Sequence, residues 1–185
     1  MRRRVFLAAA GATVGTAGCV GSSSPGRPFR VSLPGSDGSL PTRYTCDGAG
    51  ESPPITVESV PEPVTALGVT VESNRDAIIE PVHWALWNVP ADRAAIPAGL
   101  PRTTTVETLG DARQGQSSGP PGYDPPCPAP GATEEYRVQV YGLDAPLELS
   151  GGAPNDDALD AITAGAVVSQ RFVRTHERPA DADSE

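Results

Sequence analysis

Apolar residues in this chain fall in short bursts, several of them alternating with polar ones, and prolines or glycines close almost every burst. Residues 29–33 (Phe-Arg-Val-Ser-Leu) alternate and run into Pro34-Gly35, the pattern of a strand ending in a turn. Residues 55–57 and 66–72 predict two more strands, each bounded by prolines. Residues 82–89 (Val-His-Trp-Ala-Leu-Trp-Asn-Val) carry apolar side chains on both faces before Pro90, which predicts a central strand covered on both sides. Trp84 and Trp87 then face opposite sides and read as packing rather than as a ligand platform. Residues 103–106 are a weaker, β-branched candidate, whereas 135–141 alternate cleanly, with Tyr136, Val138 and Val140 on one side.

Near the carboxyl end, Asn155 is placed to cap a helix over residues 156–162, with Asp156 and Asp157 set against the positive end of its dipole. Residues 167–173 predict a closing strand, and the polar residues 176–185 a disordered tail. One long segment, 110–131, holds much Gly, Pro and Ser and little apolar material, so it reads as an irregular loop, functional or mobile. The sum is one all-β domain with minor α content over residues 29–175, with no internal repeat. A helical bundle is excluded.

Composition adds a warning about the core. Of 185 residues, 38% are apolar, while Gly contributes 20 and Pro 21, so a modest, Val-rich core must hold a large share of ordered loop. Charge excludes one class of partner. Fourteen basic against 23 acidic residues leave a net −9, and nothing neutralises phosphates in a row, so no nucleic-acid partner is expected. Every basic residue is Arg; surface carboxylate without Lys resembles the bias of salt-loving organisms, in which concentrated salt screens self-repulsion.

The amino terminus reads as an export signal. Arg2-Arg3-Arg4 precede Val5-Phe6-Leu7, then a short stretch of small and apolar residues, then Ala17-Gly18-Cys19. The paired arginines resemble a twin-arginine signal over residues 1–18, and Ala-Gly-Cys a lipoprotein processing box that would lipidate Cys19. Residues 19–28 would then be a flexible tether, and the domain would sit anchored on the outer face of the cell membrane. Cys46 and Cys127 remain as an even pair in an oxidising compartment: either a bridge across 81 residues or two buried thiols. Neither lies in a Cys-x-x-Cys pair and no His cluster accompanies them, so no metal site is expected.

Five motifs in order carry a family resemblance. They are Tyr44-Thr45-Cys46-Asp47-Gly48, Ser52-Pro53-Pro54, the Val82-His83-Trp84 strand through Pro90, Gly122-Tyr123-Asp124-Pro125-Pro126-Cys127-Pro128, and Tyr141-Gly142-Leu143-Asp144. Together they resemble the phosphatidylethanolamine-binding protein family, in its prokaryotic Raf kinase inhibitor-like branch. The resemblance implies a two-sheet antiparallel β-sandwich with a short helix near the C-terminus, in agreement with the strand pattern. It also favours a Cys46–Cys127 disulfide.

The family's pocket accepts a small anion or a phospholipid headgroup. By resemblance, its imidazole falls on His83, its proline-rich loop on residues 124–128 with Pro126 and Pro128, and its tyrosine on Tyr136. Its carboxylate pair falls on Ser73 and Arg75, flanked by Glu72 and Asp76, and the His and Arg of its last triplet fall on Glu134 and Glu135. Those departures matter: Glu134 would repel an anion, and Arg75 would offset it if turned inward.

No cofactor and no catalysis are expected. Gly115-Gln116-Ser117-Ser118-Gly119 fits a hydrolase elbow in letters, but that elbow needs a helix after it, and Pro120-Pro121 follow. Only His83 and His176 would serve as a base. The expectation is a non-catalytic, exported, lipid-anchored binding protein for a small anion or headgroup. The alternative is a protein-interaction module that inhibits a secreted protease or other extracellular partner.

Overall fold

The alternating segments form strands, and prolines set most of their limits. The structure, a computed structural model, describes residues 26–35, 37–73 and 81–180. In chain order the elements are β1 (Arg30–Ser32), β2 (Ile55–Ser59), β3 (Ala66–Ser73), β4 (Val82–Pro90), β5 (Ala95–Ile96), β6 (Thr105–Val106), β7 (Ala112–Gln114), β8 (Thr133–Leu143), α1 (Asn155–Gly165) and β9 (Ala166–Glu177). They make two antiparallel sheets, one of three strands ordered β1-β2-β5 and one of six ordered β6-β7-β4-β3-β8-β9.

The main core lies between the sheets. Val31, Ile55 and Ile96 from the small sheet meet Leu67, Val69, Val71, Trp84, Leu86, Val138 and Val140 from the large one. The outer face of the large sheet is covered by α1, where Ala158 and Ile162 pack on Ala66, Ala85, Trp87 and Leu143. Trp84 and Trp87 are therefore buried on opposite faces of β4, as the apolar pattern requires. Each indole N–H has a partner: Trp84 donates to Gln114 Oε1 (2.9 Å) and Trp87 to the Leu149 carbonyl (3.2 Å). Close packing against the helix fixes Gly68, since a Cβ there would stand 2.9 Å from Ile162 Cγ2.

Three expectations need correction. Asn155 opens α1, but Pro154 is the cap residue and no side chain caps the helix. The Asn155 amide instead donates to the Val82 carbonyl (2.8 Å), tying the helix start to β4. The stretch 110–131 is not irregular throughout, because β7 occupies its beginning and pairs with β4 and β6. The tail does not begin at 176: β9 runs through Glu177, His176 is buried, and Arg178 pairs with Ala132 and Gly131 through its backbone. The remaining tail residues 181–185, the signal 1–18, and Cys19 with the tether to residue 25 lie outside the described residues.

Candidate functional site

Two irregularities in β4 decide where its side chains point. Val71 pairs with Trp84 and Glu72 with Val82, so His83 is the extra residue of a β-bulge. Simple alternation would send His83 to the face opposite Trp84. The bulge turns it to the same face, the one between the sheets. A second irregularity lies at Asn88, which has φ 60 and binds Leu147 through both amide atoms, donating from Nδ2 (2.9 Å) and accepting at Oδ1 (2.8 Å).

His83 meets two of the residues matched by sequence. Its Nε2 lies 2.9 Å from Oγ of the buried Ser73, and its ring stands edge-on to Tyr136 at 5.5 Å between centroids and 76° between planes. Ser73 and Tyr136 are cross-strand partners on β3 and β8, which explains why one imidazole reaches both. Tyr136 is fully buried, and its hydroxyl donates to Glu134 Oε2 at 3.1 Å. The hydroxyl that the resemblance offers to a ligand is thus engaged by the acid that replaces a family histidine. Arg75 and Asp76 lie outside the described residues.

The proline-rich loop adjoins His83 through its backbone and is fastened at several points. The Asp124 N–H donates to the His83 carbonyl (2.8 Å), the Cys46 N–H to the Pro126 carbonyl (3.1 Å), and Arg178 to the Pro128 carbonyl (3.1 Å). Pro126 and Pro128 are both buried. The Cys46–Cys127 disulfide is formed, with 5.3 Å between Cα atoms. Tyr123 lies beneath, edge-on to Trp84 at 5.7 Å, with its hydroxyl donating to the Tyr44 carbonyl at 2.7 Å. Burial, reinforced by Tyr136 and Asp124, pushes the Tyr123 phenol far above its ordinary value, so it stays neutral.

A second cluster at this end of the sandwich carries no role in the sequence reading. Asp47 Oδ2 lies 2.7 Å from His176 Nε2, and its Oδ1 accepts from Arg178 Nε at 3.1 Å. Burial raises the Asp47 carboxyl, but hydrogen bonds from His176 and Arg178 and their charges outweigh it, so the net shift is downward. His176 is the cross-strand neighbour of Glu134. A histidine on β9 therefore stands beside the position where the family pattern has its own on β8. Asp47 was visible as part of the Thr-Cys-Asp-Gly motif. His176 was obscured by the polar residues after it, although it continues the inward spacing of Phe172 and Arg174.

Other chemistry finds no frame. Among the described residues no group of three or more His, Cys, Asp or Glu side chains is placed to hold a metal. Ser117 follows β7 but is exposed, and only bends succeed it, so the strained strand-to-helix turn of a hydrolase is not built.

Comparison with known proteins places this geometry. Residues 33–175 match the family model for phosphatidylethanolamine-binding protein. A UPF0098 protein of Pyrococcus abyssi is 31% identical over 163 residues, covering 87% of this chain and 91% of its own. A UPF0098 protein of Mycobacterium bovis is 35% identical over 170 residues, covering 87% of this chain and 78% of its own. Among solved structures, YbcL of Escherichia coli, described as a member of the mammalian PEBP family, aligns with a TM-score of 0.71 at 21% identity, covering 80% of this chain and 98% of its own. CT736 of Chlamydia trachomatis, described as a putative phosphatidylethanolamine-binding protein homologue, aligns at 0.65 and 25% identity, covering 82% and 99%. With five motifs in order, the two-sheet sandwich and a family match across most of the chain, this protein belongs to the phosphatidylethanolamine-binding protein family.

Proposed function

We propose that this chain is an exported, lipid-anchored binding protein whose His83 pocket takes a small phosphate-type anion or a phospholipid headgroup, without catalysing a reaction. The observation that carries the reading is the setting of His83. A bulge turns a half-buried imidazole inward, Ser73 and the Tyr136 ring hold it, and a loop pinned by a disulfide borders it. A protonated imidazole so held donates to an oxyanion with little reorganisation. Of the acids close by, Glu134 accepts from Tyr136, Asp47 is met by His176 and Arg178, and the half-exposed Asp124 lies 3.9 Å from Arg102. Their repulsion of an anion is thereby reduced, though not abolished.

Export and anchoring rest on the Arg-Arg and Ala-Gly-Cys motifs and on the disulfide, which suits an oxidising compartment. The test is calorimetric titration of the protein at high salt with phosphate, acetate and phosphoethanolamine. Heats present in the wild type and lost in His83→Ala are expected for phosphate or phosphoethanolamine. Identical heats in the two proteins would remove the pocket from the reading.

A further inference from the structure

The outer face of the large sheet is only partly covered. Helix α1 packs Ala158 and Ile162 over Ala66, Ala85, Trp87 and Leu143, and beyond that contact the face turns polar. A cavity of about 370 Å³ opens there, floored by Glu72, Arg137, Gln139 and Tyr141. Asp160 and Thr163 of α1 wall it on one side and Arg171 of β9 on the other. A second hollow of about 300 Å³ shares Gln139, Tyr141 and Thr163 with it, so the two form one groove. Small-molecule sites begin at roughly this size, about 300 Å³.

The floor holds a charged pair closed on itself. Glu72 is 5% exposed; its Oε1 accepts from Thr70 Oγ1 (2.9 Å) and its Oε2 from Arg137 Nη2 (2.8 Å). Such a pair is often no more stable than apolar side chains of similar volume, so stability alone does not account for it. Thr70 gives its one hydroxyl proton to Glu72 and can only accept from Tyr141, whose hydroxyl lies 3.5 Å away, beyond good hydrogen-bond distance. Tyr141 is 4% exposed and lines the groove, so a buried phenol stands there without a close acceptor.

Above this floor two opposite charges line the groove without meeting. Asp160 and Arg171 are both exposed, and no ion pair joins them or ties either to another described residue. Arg171 is nevertheless held: Gln139 Oε1 accepts from its Nε at 3.3 Å, while Gln139 Nε2 donates to Ser169 Oγ at 3.1 Å. The guanidinium is thus fixed at Nε, and its two terminal nitrogens are left to receive a carboxylate side by side. Thr163 follows Asp160 by one helical turn and sets a hydroxyl beside that carboxylate.

These groups select by charge. A simple anion meets Asp160 as well as Arg171, and a simple cation meets Arg171 as well as Asp160, while Glu72 and Arg137 offset each other. A molecule with a carboxylate at one end and an ammonium at the other satisfies both walls. We infer that this groove is a second binding site, for a small zwitterion of amino-acid type. Its carboxylate lies on Arg171 and its ammonium on Asp160, and a side-chain oxygen accepts from Tyr141. The site is separate from the His83 pocket, because Tyr141 lies on the face under α1, whereas the bulge turns His83 to the face between the sheets. With both charges exposed, affinity is weak, about millimolar, and falls with salt.

The test is a nuclear magnetic resonance titration of the isotope-labelled full chain with glycine, serine and glutamine, to about 50 mM at moderate salt. Saturable shifts of the amides in 139–141, 160–163 and 169–171 are expected with at least one of the three, and none with acetate or methylammonium. The dissociation constant should rise at least about fivefold in Asp160→Asn and in Arg171→Gln, and stay unchanged in His83→Ala. Positions 160 and 171 are exposed, so circular dichroism should not change in their variants. No saturable shift with any of the three, equal binding of acetate or methylammonium, indifference to either wall substitution, or dependence on His83 would each overturn the inference.

Discussion

Replacing Asp47 by Asn removes one charge from the junction that fastens the loop beside His83. In the folded chain both carboxylate oxygens are used, Oδ2 with His176 Nε2 at 2.7 Å and Oδ1 with Arg178 Nε at 3.1 Å. The side chains of His176 and Arg178 are 6% and 14% exposed, so water replaces the lost partner poorly. Hydrogen bonds to charged groups contribute about 1.5–3 kcal/mol each, and an Asn oxygen retains a weaker version of one. The expected loss is about 2 kcal/mol, which lowers the midpoint of thermal unfolding by about 4–8 °C in a domain of this size.

The pH dependence has a definite sign. The Asp47 carboxyl titrates below its ordinary 3.8 in the folded chain, so folding favours the ionised form. That contribution is complete above the unfolded value and is lost as pH falls through the lowered folded value. Urea unfolding of wild type and Asp47→Asn, compared near neutrality and again at pH 3, is the assay. A gap near 2 kcal/mol at neutrality that narrows in acid is expected. A gap below about 0.5 kcal/mol at neutrality, or one that widens in acid, would refute the reasoning.

Further outcomes follow from other parts of the fold. Cys46→Ser should cost about 4 kcal/mol by loop closure across the 81-residue separation, seen as a lower denaturant midpoint, and reducing agent should lower the wild type but not the variant. Asn88→Ala should cost about 3 kcal/mol, because it loses both bonds to Leu147 and leaves a Cβ residue in the left-handed region, whereas Asn88→Gly should lose only the bonds and cost about 2 kcal/mol. Equal losses in the two Asn88 variants would show that backbone strain plays no part there.

Much of this protein was legible before any coordinates, for identifiable reasons. Alternation of Tyr136, Val138 and Val140 put them on one buried face, because side chains of a strand repeat every two residues whatever surrounds them. The two-sided apolar run at 82–89 marked an inner strand, and Trp84 and Trp87 occupy opposite layers as that requires. The motifs also pointed to His83, Ser73 and Tyr136, which the fold brings into contact. The short strand β5, by contrast, escaped notice, since two residues carry no periodicity and pair only because β2 lies beside them.

Tertiary structure decided the orientation and the partners. Local alternation would turn His83 away from Tyr136, and only its pairing against β3 shows the bulge that reverses it. Asn155 has the letters of a helix cap, yet its amide is drawn to the Val82 carbonyl once α1 packs on β4. His176 and Asp47 stand 129 residues apart, so no local pattern foretold their contact; β9 carries the histidine to the disulfide-linked loop. The sequence by itself determined which residues are strand-forming and which motifs they share with a family, because periodicity and chemistry are local. The packed sheets alone determined which side chains meet, because a bulge or a long-range pairing depends on atoms that the chain brings together only when folded.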